Sequence, residues 1–71
     1  MPLRVKLHSN EPRAIEATDT TIRALGFDAR LVRSPEGSVA FDAEGFAQIE
    51  TFNPGYIAFA IKHQGYVADV A

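Results

Sequence analysis

Residues 3–33, LRVKLHSNEPRAIEATDTTIRALGFDARLVR, hold the pattern on which the expected fold turns. Leu3, Val5 and Leu7 alternate with Arg4, Lys6 and His8. This is the period-two signature of a strand with one buried and one wet face, and it predicts a strand over 3–8. Ser9 or Asn10 then stands where a helix N-cap belongs. Glu11 and Pro12 suit the first turn, where an acid favours the helix dipole and a missing N–H costs nothing. Ile15, Thr18 or Asp19, Ile22 and Leu25 share one helical stripe, Asp19 can pair with Arg23 four residues on, and Gly26 offers a left-handed stop. A helix over about 11–25 follows. Phe27, Ala29 and Leu31 alternate with Asp28, Arg30 and Val32, giving a second strand to about Arg33. Two strands joined through one helix predict a right-handed βαβ unit with its strands parallel.

Outward from that unit, Ser34-Pro35-Glu36-Gly37 reads as a turn, with proline preset at its second position and glycine at its fourth. Residues 38–53 read two ways. Asp42 can cap a short helix carrying Phe46, Ile49 and Phe52 or Asn53, although Gly45 weakens it. Alternatively, Val39-Ala40-Phe41 and Gln48 to Phe52 form a hairpin around Ala43-Glu44-Gly45. The helix is the favoured reading. Asn53-Pro54-Gly55 breaks the chain, and Tyr56 to Lys62 predicts a strand with Ile57, Phe59 and Ile61 on one face. His63-Gln64-Gly65 forms a turn, and Tyr66 to Val70 returns as a short edge strand. The expected fold is a single α/β domain over 1–71, a small β-α-β-(α)-β-β arrangement of two to three layers. The alternative, if 38–52 form the hairpin, is an α+β fold with a mostly antiparallel sheet.

The chain has 71 residues, of which 46% are hydrophobic and 23% charged, with five Phe. That is enough for one thin core and too apolar for disorder. A chain this short buries only roughly 60% of the surface it exposes when unfolded, so a partner or a second copy is expected to supply the rest. It has no Cys. Thiol catalysis, thiolate metal sites and disulfide scaffolds are thereby excluded, while the redox compartment stays open. No apolar run suits a signal peptide or a membrane span, so a cytoplasmic location is the default expectation. The net charge of -2 disfavours a general nucleic-acid binder. The charge is laid out unevenly: residues 1–33 carry six bases and four acids, residues 34–71 one base and five acids.

Three segments carry a resemblance. Val5-Lys6-Leu7-His8-Ser9-Asn10 looks like the first strand and polar exit of the small glutaredoxin-like proteins of the thioredoxin fold. Thr21-Ile22-Arg23-Ala24-Leu25-Gly26 looks like the end of their first helix, and Pro54 is similar in place to their cis-proline. The resemblance implies a thioredoxin-like topology with the first and third strands central. It does not imply the family's reaction. The defining C-x-x-C is absent, and an overlay of the first strands puts Arg13 and Glu16 where the two thiols would lie; neither can perform disulfide exchange.

No other motif points to catalysis. His8 and His63, the two imidazoles, lie far apart beside turns and read as solvated residues rather than ligands. Glu11 and Glu16, five apart, face different ways and make a poor acid and base pair. Ser9, Ser34 and Ser38 lack a nucleophile-elbow context. Gly26, Gly37, Gly45, Gly55 and Gly65 are spread singly, without phosphate-loop spacing. No cofactor, metal or catalytic residue is therefore expected. If Leu3, Val5, Leu7, Phe27, Ala29, Leu31, Ile57, Phe59 and Ile61 pack on the helix, the opposite sheet face gathers Arg4, Lys6, His8, Arg30, Tyr56 and Lys62. This basic face with one aromatic is the candidate partner-binding surface. The expected function is a non-catalytic protein-binding module, whose size, acidity and lack of cysteine also suit a phage or mobile-element protein that modulates a host factor. The alternatives are polyanion binding through the basic face, and a redox or other enzyme.

Overall fold

Six elements succeed one another in the computed structural model, which describes residues 3–26 and 28–70. They are β1 (Leu3–Lys6), α1 (Pro12–Leu25), β2 (Arg30–Leu31), β3 (Phe46–Glu50), α2 (Pro54–His63) and β4 (Val67–Val70). The strands form one sheet in the order β2-β3-β1-β4, antiparallel at every junction. This is an α+β fold, the arrangement expected as the alternative, with the split β-α-β topology that ferredoxin-like folds share. β1 and β2 do run in the same direction, as a βαβ unit requires, but β3 lies between them.

The faces follow from the alternation in β1. Leu3 pairs with Ile49 and Val70, and Val5 with Ala47 and Ala68; all turn to one side, where Ile22 of α1 and Ile57 and Ile61 of α2 complete a single core cluster. Arg4 and Lys6 turn to the other side, beside Gln48, Phe46, Asp69 and Val67. Both helices pack on this face, where each fully buried Leu or Ile contributes about 2 kcal/mol.

Two segments differ from expectation for a topological reason. Residues 46–50 were expected in a helix, yet Ala47 and Ile49 alternate with Phe46, Gln48 and Glu50 as a strand, and β3 pairs with β1. Because β3 and β4 both run antiparallel to β1, they are parallel to each other. Linking them requires a crossover, which a helix supplies. Residues 54–63, expected as a strand, are that helix. Pro54 is its first residue, not a cis-proline before a strand, and the Asn53 side chain accepts the Tyr56 N–H at 3.4 Å. The thioredoxin-like arrangement, with a strand over 56–62, is thus replaced; the central pair is β1 and β3.

Local details of α1 also shift. Its N-cap is Glu11, with no side-chain cap, and Gly26 is extended rather than left-handed. A Cβ at Gly26 would stand 3.1 Å from Ile57 Cδ1, so close helix-to-helix approach is the reason for glycine there. Of the second strand expected over 27–33, Arg30 and Leu31 form β2, while Phe27 lies outside the described residues.

Between β2 and β3 the chain makes two turns of the same construction. In Ser34–Gly37, Gly37 N–H donates to Ser34 O (2.8 Å), Ser34 N–H to Ser38 O (2.7 Å), and Ser38 N–H to Ser34 Oγ (3.2 Å). In Asp42–Gly45, Gly45 N–H donates to Asp42 O (3.0 Å), Asp42 N–H to Phe46 O (2.9 Å), and Phe46 N–H to Asp42 Oδ1 (3.0 Å). Both glycines hold φ near +88° and +87°, a region where a Cβ is disfavoured.

Two carboxylates bind elements together. Asp19, 4% exposed, accepts the Leu31 N–H at Oδ1 (3.1 Å) and pairs at Oδ2 with Arg23 (3.1 Å) and Arg33 (3.3 Å). Burial alone would raise its pKa, but the Leu31 amide and then the two guanidinium groups outweigh burial and hold it below the usual carboxylate range. Asp28 accepts the Phe52 N–H (2.7 Å) and the Thr51 hydroxyl (3.2 Å), and the Phe52 amide foremost lowers its pKa as well.

Two outcomes are expected. Gly37→Ala meets no atom within 4 Å, so its cost is purely that of the backbone, about 1 kcal/mol; the urea midpoint falls while the slope is unchanged. Because Asp19 and Asp28 have lowered folded pKa values, their contribution is complete above the unfolded carboxylate value of about 3.9 and disappears as pH falls through the folded values. Urea unfolding followed from neutral to acid should therefore show stability level down to about pH 5 and falling below about pH 4.

Candidate functional site

The six residues expected on one basic face do not come together. Arg4, Lys6 and Arg30 share the open face of the sheet. Tyr56 and Lys62 belong to α2, in the layer on the other side. His8 lies past the end of β1, its ring stacked on Tyr66 at 4.4 Å between centroids and 7° between planes; the Tyr66 hydroxyl in turn lies 3.1 Å from Thr18 Oγ1. Glu16 pairs with Arg33 at 3.2 Å, and Arg13 is exposed on α1.

The open face is not basic either. Arg4 donates from Nε and from one terminal nitrogen to the two oxygens of Asp69 (2.9 and 3.0 Å). Its other terminal nitrogen donates to Asp42 Oδ2 (2.7 Å) and Glu44 Oε1 (2.9 Å). Its guanidinium carbon sits 4.3 Å from the centroid of the Phe46 ring, within cation–π range. Arg30 pairs with its cross-strand neighbour Glu50 at 2.8 Å. Three cations therefore face four carboxylates, and among these cations only Lys6 has no ion pair among the described residues. Hydrogen bonds to Asp69, Glu44 and Asp42 raise the Arg4 pKa above its already high ordinary value, and the same contact lowers that of Asp69. The Asp42 carboxyl is lowered by the Phe46 amide first, then by the Glu44 amide and Arg4, against burial.

A groove of about 410 Å³ runs beside β2, lined by Arg23, Asp28, Arg30, Glu50, Thr51 and Phe52 among others. Its ionic groups are already engaged: Arg23 with Asp19 behind the groove, Arg30 with Glu50, and Asp28 with the Phe52 N–H and the Thr51 hydroxyl. The groove thus offers an aromatic rim and no unpaired acid or base for chemistry.

The surface that the sequence reading missed lies on α2. Ile57, Ala58 and Ile61 face the core, which turns Tyr56, Phe59 and His63 directly outward. Tyr56 is 53% exposed and Phe59 63%; Phe52, ahead of the helix and its N-cap, is 96% exposed. The Phe59 and His63 rings meet edge to face at 4.5 Å. From Phe52 to Ile61 the chain carries no charge. The available signal was Asn53 and Pro54 as N-cap and first helical residue, which turns an alternating pattern into a stripe at 56, 59 and 63. No helix among the described residues is long and apolar enough to cross a membrane.

Replacing Arg4 with Gln should release the Asp69 carboxyl. Its pKa, followed by carbon-detected NMR titration, is expected to rise toward the ordinary carboxylate value, and an unmoved Asp69 would refute the cluster.

Compared with protein-family models, with curated proteins and with solved structures, the chain has no significant match.

Proposed function

We propose that the protein is a non-catalytic protein-binding module whose docking surface is the outer face of α2, formed by Tyr56, Phe59 and His63. The supporting observation is the helix itself, apolar on the side that meets the core and aromatic on the side that meets solvent. Large exposed apolar side chains grouped on one helix face mark a protein contact. Tyr and Phe held on a short rigid helix supply large contact area with little side-chain entropy to lose, as binding anchors do. The paired charges of the open sheet face make it a poor polyanion site by comparison.

The test is capture of a partner from lysate by the full chain, compared among three forms. A stoichiometric partner retained by wild type and by Lys6→Glu, and lost with Tyr56→Ser/Phe59→Ser, is expected. Truncating two anchors should weaken binding by roughly a hundredfold, about 3 kcal/mol, with modest dependence on salt. Binding that survives the double substitution, or that Lys6→Glu and added salt abolish, would move the site to the sheet face.

A further inference from the structure

The ion-paired arginines are used to different depths. Arg4 donates to carboxylates from Nε and from both terminal nitrogens, and Arg33 places its two terminal nitrogens on Gly37 O, Glu16 and Asp19. Arg23 and Arg30 donate through Nε alone, to Asp19 and to Glu50. Their terminal nitrogens, which carry most of the donors of a guanidinium, have no acceptor among the described residues. Both side chains are more than half exposed, and both line the groove of about 410 Å³ beside β2.

The acids of that groove are half used in the same way. Asp28 takes the Phe52 N–H and the Thr51 hydroxyl on Oδ2, and Glu50 takes Arg30 on Oε1; no other described residue donates to Asp28 Oδ1 or Glu50 Oε2. The Phe52 amide foremost keeps the Asp28 carboxyl ionised at neutral pH. At the rim the Phe52 ring is 96% exposed, although its backbone N–H is tied to Asp28. The groove thus presents two guanidinium forks, two carboxylates and a bare ring, and the charges of its lining cancel.

We propose that this groove binds a small zwitterion bearing a flat apolar group, of the chemical class of a free aromatic amino acid. The terminal nitrogens of Arg23 and Arg30 receive its α-carboxylate, for which a guanidinium fork is matched in shape and charge. The unused oxygens of Asp28 and Glu50 receive its α-ammonium, and its ring lies against Phe52. A lining without net charge fits a ligand without net charge: a nucleotide would meet two carboxylates, and a plain amine two guanidiniums. The volume is in the range of small-molecule clefts. Tyr56 and Phe59 do not line the groove, so the site is independent of the docking surface on α2.

The test is NMR titration of the full chain with L-phenylalanine, 3-phenylpropionate, which lacks the ammonium, and 2-phenylethylamine, which lacks the carboxylate. L-phenylalanine should give saturable shifts at the Arg23 and Arg30 Nε–Hε groups and the Thr51 and Phe52 amides, with each analogue about tenfold weaker. Phe52→Ser should weaken binding about tenfold while leaving the urea midpoint in place, since the ring touches little of the fold. Arg30→Gln should remove the advantage of L-phenylalanine over 2-phenylethylamine, a change of preference that loss of stability alone does not produce. Tyr56→Ser/Phe59→Ser should bind L-phenylalanine as wild type does, whether or not those residues hold a protein partner. The absence of saturable shifts, equal binding of either analogue by wild type, tighter binding of adenosine monophosphate than of L-phenylalanine, or affinity unchanged by Phe52→Ser would overturn the proposal. So would affinity lost with the two substitutions on α2, which would place the ligand there.

Discussion

A buried carboxylate is tolerated only where its partners converge on it, and Asp19 imposes that condition on this fold. β2 has two residues, too few for ladder bonds alone to hold it at the sheet edge. Asp19 supplies the additional hold: one oxygen takes the outward N–H of Leu31, and the other gathers Arg23 from its own helix and Arg33 from the chain leaving β2. α1, β2 and the start of the two-turn connection are thereby placed together, and β3 is aligned between β2 and β1. Without Asp19 the Leu31 amide would be left unsatisfied in a nearly dry position.

The first half of this architecture was legible in the residues. The alternation of Leu3 and Val5 with Arg4 and Lys6, the stripe of α1, the Asp19–Arg23 pair, and the Ser34–Gly37 turn all appear where local pattern puts them. The second half was not, because local pattern is degenerate there. Ile57 and Ile61 lie on one face whether the backbone is a strand or a helix, and Phe59 changes sides between the two. What decides is non-local: with β3 and β4 on either side of β1, the intervening segment must cross over. Residues 46–50 show the converse error. Phe46 and Ile49 suit a helical stripe, but the turn built on Asp42 and the positive φ of Gly45 deliver an extended chain to Ala47.

The misread segment carried the candidate site with it. A strand over 56–62 would have buried Phe59 and placed Tyr56 and Lys62 beside Arg4. As a helix it buries Ala58 and exposes Phe59. Of the cations expected on one basic face, Arg4 and Arg30 are instead paired with cross-strand and turn carboxylates, and Arg4 alone engages three of them over an aromatic ring. The open side of the sheet thus has its arginines paired, and the exposed aromatic rings of α2, Tyr56 and Phe59, sit on the helical side. Sequence charge counts could not reveal this, since pairing depends on Asp42, Glu44 and Asp69 arriving beside Arg4 from distant parts of the chain.

The central position of β1 has a consequence for the order of events during synthesis. β1 is made before the other five elements, but its partners are β3 and β4, paired through Leu3↔Ile49 and Leu3↔Val70. Neither of its edges can be satisfied within the chain until those later segments emerge, and contacts of such sequence separation are slow to close. Until those segments follow, β1 is an apolar strand with both edges unpaired. α1 can form meanwhile from local contacts and shield Leu3 and Val5, which gives the long early helix a protective role as well as a structural one.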